Sequence, residues 1–561
     1  MPGNRRSLRR CDAACARAAA QRAARGSGMR KMHEFMQQEQ ARLVVPDQDL
    51  ACGLLQLDRA EWAARDFAQF DREQVLRVAE AVAKAAHDNA AFYAEWAVRE
   101  TGYGVVEHKQ KKNESVAYPL LDFYRDLDLV HPRVDEARKM VEIPKPAGIV
   151  LALTPATNPV ATVYYKVMLA LLSRNAIVIS PHPAASRCCN DAARKLDAAA
   201  HAAGAPPGLI QCIERPSIPL VDTLMRSPQV AVVMATGGGP MVRAAYSSGN
   251  PAIGVGPGNA PAYIDTSADM RKAARMIVSS KSFDNSVLCT SESVLLVQQK
   301  DAQRFERELR AAGAHLCQER EVERLRAYLF PDGDLNPAAI GKSAVWIARE
   351  AGLKVLPATQ VLVANVQHIG VDEPLTKEKL CPVLALYAVD SFERATRSAQ
   401  MILRLSGAGH SAAFHGNDPQ KALDFAARLN VYRVVVNAPC AQGASGFATH
   451  LPPTFMIGTG YFGRSCVGEN VGPQHLVHWT RLAYNKDMSE VFGDYRHLRV
   501  TAPATGKTRS TAATQAAPAR VQPPLAAGTL PTPEAAGQGI DRDFLRQLIA
   551  QELRELGRGH R

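Results

Sequence analysis

The feature that most constrains the fold is an alternation of short apolar runs with stretches of helical periodicity. In the first half of the chain, apolar runs of strand length are each followed by a turn and a helical pattern, at 149–153, 176–179 and 230–234. Buried parallel strands have this near-continuous apolar character, because helices cover both faces of their sheet. The alternation therefore predicts a doubly wound, parallel α/β sheet.

A second alternation of the same kind follows between about 273 and 440. It places strands at 294–297, 361–363 and 383–387, and a helix at 302–312. The 561 residues of the chain are also too many for one compact core. We therefore predict two α/β domains in series.

Charge is concentrated at the ends of the chain. The net charge is +12 at neutral pH, of which residues 1–31 contribute +8 and residues 501–561 contribute +3. The near-neutral body argues against a basic groove for nucleic acid. No run approaches 18 consecutive apolar residues, so we expect no membrane-spanning helix.

The two ends also differ from the body in composition. Residues 1–40, rich in Arg and Ala, predict a disordered extension, and residues 501–539, rich in Ala, Pro, Thr and Gln, predict a disordered linker. At 540–557 apolar residues recur on one helical face, which predicts an amphipathic helix. Such a tethered helix is typical of a docking peptide. A helix that folds back onto its own body or onto an oligomer partner is the alternative.

The eleven cysteines are an odd number and form no CxxC pair. A disulfide framework is therefore not expected, and the reducing cytosol is the expected location. No Cys/His cluster has the spacing of a zinc site, so we expect no metal.

Two glycine-rich turns stand out, at 237–239 and at 254–259. Neither fits GxGxxG with an acidic residue about twenty positions on, so the usual Rossmann fingerprint is missing. A strand that runs into glycines and a helix start still suits a pyrophosphate, which helix N-terminal amides bind.

Five segments in order carry a resemblance to a known family. They are PKPA with TPATNP (144–147 and 154–159), PAIGVGPGNAPAYID (251–265), SFDNSVLCTSE (282–292), KEKLCP (377–382) and GENVGP (468–473). Over about 50–490 the chain resembles the aldehyde dehydrogenase superfamily, in its CoA-acylating branch. That branch is typified by the aldehyde dehydrogenase half of bifunctional alcohol/aldehyde dehydrogenases.

The resemblance implies an aldehyde dehydrogenase-like α/β fold with two doubly wound domains and a small oligomerisation segment. The dinucleotide-binding domain is expected at 41–272 and the catalytic domain at 273–440. A returning and oligomerisation segment at 441–500 is expected to join the first domain.

The resemblance also assigns the chemistry residue by residue. Cys289 corresponds to the nucleophile, which attacks the aldehyde to give a thiohemiacetal and then a thioester. Asn158 and the Cys289 backbone N–H correspond to the donors for the oxyanion. Glu378 corresponds to the carboxylate that binds the nicotinamide ribose. His410 either activates or borders the CoA thiol, or is structural. The other expected cofactor-binding residues are Thr154, Pro155, His182, Thr236, Gly237, Gly238 and Gly256.

The fate of the thioester separates two kinds of enzyme. Hydrolytic members of the family carry a glutamate base 34 residues before the cysteine, and that position here is Val255. An aliphatic side chain cannot accept a proton, so water has no base and CoA becomes the expected acceptor. A hydrolytic aldehyde dehydrogenase is the alternative, with Glu292 as a conceivable base.

The resemblance favours NAD as cofactor, with CoA as co-substrate, and leaves NADP open. His182 stands where relatives contact the adenine ribose. No acidic residue lies at 183–186, and Arg187 is near enough in sequence to approach a 2′-phosphate. The aldehyde is expected to be short but is otherwise open. Arg464, in a candidate pocket segment at 454–464, would indicate an anionic aldehyde if it faced the pocket.

The expected assembly is a homodimer or tetramer. Only the aldehyde-to-acyl-CoA step is expected, because no alcohol dehydrogenase half follows the acylating module. The linker with its amphipathic helix at 540–557 resembles in architecture the encapsulation peptides of bacterial microcompartment enzymes. We therefore predict a cytoplasmic enzyme, with shell or core proteins of a microcompartment as candidate partners.

Overall fold

The computed structural model describes residues 47–487, 489, 491–495 and 498. The extension predicted at 1–40, the linker at 501–539 and the helix at 540–557 all lie outside these residues. Within them, no helix is both long and apolar enough to cross a membrane. The nine cysteines of this part of the chain are all free thiols.

Strands and helices alternate along most of the described chain. The strands are β1 (Arg133–Asp135), β2 (Met140–Pro146), β3 (Ile149–Thr154), β4 (Ala176–Pro181), β5 (Ile210–Cys212), β6 (Val230–Thr236), β7 (Ala252–Val255), β8 (Ala260–Ile264), β9 (Glu292–Gln298), β10 (Ala314–Leu316), β11 (Val361–Asn365), β12 (Val383–Val389), β13 (Ala412–His415), β14 (Val434–Val436) and β15 (Val477–Ala483). The α-helices are α1 (Asp47–Phe67), α2 (Arg72–Asp88), α3 (Ala90–Thr101), α4 (Val106–Ser115), α5 (Tyr118–Tyr124), α6 (Pro159–Leu172), α7 (Ser186–Ala202), α8 (Ile218–Met225), α9 (Gly239–Tyr246), α10 (Met270–Ser282), α11 (Gln299–Ala311), α12 (Glu319–Leu329), α13 (Ala344–Glu350), α14 (Phe392–Leu405), α15 (Pro419–Arg428) and α16 (Cys440–Ala444).

The first sheet has five parallel strands in the order β5-β4-β3-β6-β7. Every residue of β3 and β4 is buried, as the apolar runs predicted. The strand order reverses between β3 and β6, and ligands of doubly wound sheets bind at the carboxyl ends of the strands beside such a point. Thr154 ends β3 and Thr236 ends β6, so both residues lie at this position.

The second sheet has seven parallel strands in the order β10-β11-β12-β9-β8-β13-β14. It contains β8, at Ala260–Ile264, whereas the resemblance predicts the change of domain at 272/273. Only the short link at 256–259 separates β7 from β8, with no helix between them. The strand–helix alternation therefore gives no sign that the chain has entered another sheet.

The third sheet is antiparallel and small, in the order β1-β2-β15. β15 pairs with β2 along its whole length, from Val477 opposite Pro146 to Ala483 opposite Met140. Before β15, the side chains of Phe455, Met456 and Val471 pack into the core of the first sheet. The chain thus returns to the first sheet after completing the second.

Candidate active site

A cavity of about 390 Å³ opens at the carboxyl ends of β3, β4, β6 and β7. Ten of the eleven residues predicted for the site line it, namely Thr154, Pro155, Asn158, His182, Thr236, Gly237, Gly238, Gly256, Cys289 and Glu378. His410, the eleventh, is fully buried and contacts the Cys289 thiol. The structure therefore brings all the predicted residues to one place.

Cys289 follows a short stretch of unusual backbone. Asp284, Asn285 and Ser286 all have left-handed dihedral angles, with φ of 49°, 51° and 63°. Non-glycine residues rarely adopt this region, and such strain gathers at functional sites. The turn carries the chain from α10 past the cavity and into β9, which fixes where the Cys289 side chain points.

Gly258 passes against the nucleophile from the other side. A Cβ atom at this position would overlap the Cys289 carbonyl oxygen. The Gly258 backbone N–H also donates to Glu378 Oε1 at 2.9 Å. The glycine in the GVGPGN segment is thus required by close approach of two backbones, and it ties the predicted ribose carboxylate to the nucleophile.

The Cys289 sulfur is held as a thiol in the resting protein. Burial, with a smaller contribution from the Glu378 carboxylate, raises its pKa to about 12. His410 Nε2 lies 3.1 Å from Cys289 Sγ, and His410 Nδ1 lies 3.0 Å from Ser411 Oγ. Burial, aided by Arg433, lowers the pKa of His410 to about 3. The imidazole is therefore neutral at physiological pH, and in the tautomer with its proton on Nδ1, Nε2 faces the thiol as an acceptor.

Arg433 holds this histidine in place from behind. Its buried guanidinium donates to the backbone oxygens of His410, at 3.0 Å, and Gly409, at 2.9 Å. It also donates to Asn470 Oδ1 at 3.0 Å and to the Gly458 carbonyl oxygen. Asn470 belongs to the predicted GENVGP segment. One cation thus joins the returning segment to the histidine beside the nucleophile.

Asn158 precedes the first residue of α6 and faces the same cavity. Its Nδ2 donates to the Val287 carbonyl oxygen at 3.3 Å, two residues before the nucleophile. Its Oδ1 accepts from the Lys112 ammonium group. Because an ammonium can only donate, this contact assigns the oxygen end of the amide and leaves the NH₂ group on the side of the Val287 carbonyl, two residues before Cys289.

The cavity has the donors and acceptors that a nicotinamide dinucleotide requires. Thr154 Oγ1 and Thr236 Oγ1 are buried beside the point where the strand order reverses, and neither has a protein partner. Gly238 precedes α9 without a side-chain cap, so the first amides of that helix are available to a pyrophosphate. His182 Nδ1 accepts from the Ala184 N–H at 3.2 Å, which leaves Nε2 as the donor. These residues fit the cofactor.

The two candidate bases for hydrolysis are also placed. Val255, at the end of β7, lines the cavity where hydrolytic relatives have glutamate. Glu292 is fully buried, accepts from the Cys440 N–H at 3.0 Å, and does not line the cavity. Burial raises its pKa. Of the cavity-lining residues that the structure describes, only Glu378 is a carboxylic acid.

Some residues of the site were not identified from the sequence. Lys112 and Arg433 were missed, and Asp284 and Gly258 were included only as letters of a motif. Lys109 and Lys112 are three apart on α4, which places them on one helix face, but the helix sequence VEHKQKKNES indicates a solvated surface. Their burial arises from tertiary packing, which no local pattern reports.

One group of potential metal ligands occurs in the described residues, well separated in sequence from the site. His315, Cys317 and Glu321 have ligand atoms within 4.8 Å of one another. His315 Nε2 lies 3.1 Å from Glu321 Oε2, and the same oxygen accepts from the Gln318 N–H at 2.9 Å. These hydrogen bonds account for the group as a cap at the start of α12, and we assign no metal to it.

Comparison with known proteins places this site in a family. The model of the aldehyde dehydrogenase family matches residues 19–325. The aldehyde-alcohol dehydrogenase of Clostridium acetobutylicum is 38% identical over 433 residues, which are 76% of this chain and 50% of that protein. The acetylating succinate-semialdehyde dehydrogenase of Clostridium kluyveri is 36% identical over 434 residues, covering 77% of this chain and 95% of that protein. The chain belongs to the aldehyde dehydrogenase family.

Solved structures agree with this assignment. An acetylating aldehyde dehydrogenase from Geobacillus thermoglucosidasius has a TM-score of 0.77 and 37% identity, covering 78% of this chain and 97% of that one. A propionaldehyde dehydrogenase from Rhodopseudomonas palustris, with bound CoA and an acylated cysteine, has a TM-score of 0.71 and 26% identity, covering 77% and 97%. One from a fucose-utilisation microcompartment of Clostridium phytofermentans has a TM-score of 0.70 and 26% identity, covering 76% and 96%.

These comparisons confirm the predicted family and fold, and they support the CoA-acylating branch within the family. Several relatives and neighbours are named as acetylating or CoA-bound enzymes. The chain spans about half the length of the bifunctional aldehyde-alcohol dehydrogenases that it matches.

Proposed function

We propose that this protein oxidises a short-chain aldehyde with NAD(P)⁺ and transfers the acyl group from Cys289 to CoA. The observation that carries this proposal is the missing water-activating base. Val255 occupies its position, and Glu292 is buried against the Cys440 amide. A thioester on Cys289 therefore has no partner for hydrolysis at that face of the site, and a thiol is the competent acceptor.

The neighbours of Cys289 divide the work of the first step. As the Cys289 sulfur bonds to the aldehyde carbon, its proton passes to His410 Nε2, 3.1 Å away. The Asn158 amide and the Cys289 backbone N–H donate to the oxygen that becomes negative. Removing one such donor typically lowers the rate about 10²–10³-fold. NAD(P)⁺, when bound, would supply the hydride acceptor. Glu378 would hold its nicotinamide ribose.

Release of the product reverses the roles. The CoA sulfur bonds to the thioester carbon, the bond to Cys289 breaks, and the CoA thiol proton needs an acceptor at the same place. His410 first loses the Cys289 proton to solvent, which is the H⁺ released by the overall oxidation. The neutral imidazole then accepts the CoA thiol proton and returns it to the departing Cys289 thiolate, 3.1 Å away. The oxyanion donors serve this second tetrahedral state as they serve the first.

The cavity wall favours an uncharged aldehyde. The returning segment contributes Thr454, Phe455 and Ile457 to it, and none of the described residues lining the cavity is Lys or Arg. Arg464 is exposed and does not line the cavity. An anionic aldehyde would be desolvated there without a cationic partner, which is costly. We therefore propose a neutral substrate such as acetaldehyde or propionaldehyde over succinate semialdehyde or sulfoacetaldehyde.

The test is NADH or NADPH formation from a panel of aldehydes, with and without CoA, with product analysis. We expect turnover that requires CoA, acyl-CoA as product, and higher kcat/KM for propionaldehyde than for succinate semialdehyde. Cys289→Ala serves as the inactive control. Turnover that is indifferent to CoA and yields free acid would establish the hydrolytic alternative.

Assembly and location belong to the same proposal. β15 lies at the edge of its sheet with exposed apolar side chains nearby, at Leu482 and Tyr484, which supports a homodimer or tetramer built through this edge. From the sequence at 540–557, and from a neighbour named as microcompartment-derived, we propose docking to microcompartment proteins in the cytoplasm. Deleting 501–561 should abolish co-sedimentation with shells while leaving kcat and KM unchanged, and retained co-sedimentation would refute the docking role.

A further inference from the structure

A closed network of charged side chains lies behind Asn158, on the side away from the cavity. Asp284 is fully buried and accepts from the ammonium groups of Lys109, at 3.1 Å, and Lys112. Both lysines come from α4 and are almost completely buried, with side chains 3% and 4% exposed. Nothing in the proposed chemistry uses these three residues, although buried charges are costly to maintain.

The two lysines share Asp284 but differ in their other contact. Lys112 donates to Asn158 Oδ1, the side-chain oxygen of the oxyanion donor. Lys109 donates to the backbone oxygen of Thr157 at 2.9 Å. Asp284 Oδ1 also accepts from the Val105 backbone N–H at 2.7 Å. The Asp284 backbone N–H donates to His108 Nδ1 at 2.9 Å. The carboxylate is thus fixed, and it fixes the ammonium of Lys112 in turn.

The two lysines keep Asp284 ionised, and Asp284 opposes the loss of charge from Lys112. Burial alone would raise the pKa of the Asp284 carboxyl, but Lys112 and Lys109 hold it below its ordinary value. Burial lowers the pKa of Lys112 to about 7, against the opposing effect of Asp284. An ammonium pressed onto the amide oxygen polarises the amide, because electron density is drawn from nitrogen toward oxygen. The NH₂ group, which donates to the Val287 carbonyl oxygen, becomes a better donor as a result.

We propose that Lys112 is a positioning residue for the oxyanion site: with Asp284 as its counterion, it locks and polarises the Asn158 amide so that Nδ2 faces the carbon bonded to Cys289. This inference rests on the proposed function only in its use of Asn158 as the oxyanion donor. Lys109 supplies a matched control, since it contacts the same carboxylate from the same helix but does not contact Asn158.

The test is the burst of nitrophenolate released when 4-nitrophenyl acetate acylates Cys289, measured without dinucleotide or CoA. The enzymes compared are wild type, Lys112→Met, Lys109→Met, Asn158→Ala and the Asn158→Ala/Lys112→Met double variant, with Cys289→Ser as baseline. We expect Lys112→Met to slow the burst about 10–100-fold, approaching the effect of losing an oxyanion donor, with little change in the ester concentration for half-saturation. Lys109→Met should slow it less than about threefold.

The double variant separates positioning from folding. If Lys112 acts through Asn158, adding Lys112→Met to Asn158→Ala should change the burst rate less than about threefold. Two outcomes would overturn the inference. One is that Lys112→Met and Lys109→Met slow the burst equally. The other is that Lys112→Met slows the burst as much in the Asn158→Ala protein as it does in wild type. If Lys112→Met does not fold, Asp284→Asn/Lys112→Met and Asp284→Asn/Lys109→Met form a second matched pair, without an unpaired buried carboxylate.

Failure of the two proposals gives different results. If Lys112→Met slows the burst much more than Lys109→Met, but turnover does not depend on CoA, then CoA transfer is refuted and Lys112 remains a positioning residue. If turnover depends on CoA but Lys112→Met and Lys109→Met slow the burst equally, only the role of Lys112 is refuted.

Discussion

At the scale of single residues, the reactivity of Cys289 depends on neighbours that are distant in sequence. Burial raises the pKa of the Cys289 thiol, so the sulfur stays protonated. His410 lies 121 residues away in the chain, but its Nε2 is 3.1 Å from Cys289 Sγ. A thiol in an apolar site is inert unless a base is in contact with it. Cys289 is only half-buried and lines the cavity, and this exposure together with the His410 contact distinguishes it from the buried cysteines.

The pH dependence of alkylation tests this contact. In wild type, we expect iodoacetamide to modify Cys289 faster than in His410→Ala, with a shallower rise between about pH 6 and 8, because neutral His410 can take the thiol proton as the sulfur bonds to carbon. In His410→Ala, the rate should be lower and should rise about tenfold per pH unit, since only free thiolate reacts and the thiol pKa lies near 12. The aldehyde kcat/KM should fall about 10²–10⁴-fold.

Peptide mass spectrometry in a Cys289→Ser background corrects for the exposed thiols of Cys52 and Cys466. Identical rates and pH profiles for wild type and His410→Ala would show that the histidine is structural, which is the alternative that the sequence leaves open.

Backbone packing at the nucleophile gives a second prediction. Gly258→Ala should lower the melting temperature and the free energy of unfolding by about 1–3 kcal/mol, because the new Cβ overlaps the Cys289 carbonyl and the backbone must shift. Gly256→Ala is the matched control for stability, since its Cβ would have no atom within 4 Å. Equal melting temperatures for the two variants would contradict the close approach.

The residues that sequence could identify are those with a recognisable neighbourhood. Cys289, Asn158 and Glu378 lie in segments whose letters resemble a family, and the structure brings them together. Lys112 and Arg433 lie in segments without such letters, and their charge suggests solvent. Only tertiary packing shows that both are buried and tied to the site. Contacts between residues distant in sequence are what local patterns cannot report.

At the scale of elements, predicted strands were correct where apolar runs alternate with helices. β3, β4, β6, β9, β11 and β12 all begin and end within a few residues of the predicted runs. The alternation failed at β7 and β8, where two strands of different sheets follow one another directly. No periodicity distinguishes a link within one sheet from a link between two.

The start of α7 shows how one element can complete a site assigned to another. The sequence has no acidic residue at 183–186, but Glu100 of α3 reaches this helix start. Its carboxylate accepts from the N–H groups of Arg187 and Cys188, both at 2.9 Å, and lies 3.8 Å from the Arg187 guanidinium. The helix amides that would attract a phosphate are already bound to an anion, in the stretch that follows His182.

We therefore expect this protein to prefer NAD over NADP, and expect Glu100→Gln to weaken that preference. The ratio of kcat/KM for NADP to that for NAD should rise about tenfold, which corresponds to about 1.4 kcal/mol. Glu95→Gln is the matched control: it removes the same charge from the same helix, at a residue whose ion pair in the described part of the chain is an exposed one with Arg99. An unchanged ratio in Glu100→Gln would dissociate this carboxylate from cofactor choice.

At the scale of the whole molecule, the cavity belongs to both large sheets and the returning segment. The first sheet supplies Thr154 and Thr236, the second supplies Cys289 ahead of β9, and the returning segment supplies Thr454 and Ile457. The sequence predicted the two α/β layers from patterning. It predicted their joint site only through the resemblance, because the geometry between sheets is set by packing rather than by local periodicity.

The edge strand β15 carries the last prediction, which concerns assembly. Within the described part of the chain its outer edge pairs with no strand, and Leu482 near its end is 40% exposed. Leu482→Lys places a charge on this edge, which natural proteins use to prevent strand pairing. We expect size-exclusion chromatography with light scattering to show a dimer or tetramer for wild type and a smaller species for the variant.

Arg481→Gln is the control for this change, since it removes a neighbouring charge whose exposed ion pair with Glu142 contributes only about 0–1 kcal/mol. It should leave the assembly intact. If the Leu482→Lys variant has the same assembly mass as wild type, the interface does not lie at β15. Because the returning segment leads into this strand and also lines the cavity, loss of assembly should lower kcat/KM as well as mass. Dissociation without any change in activity would show that each chain forms its site alone.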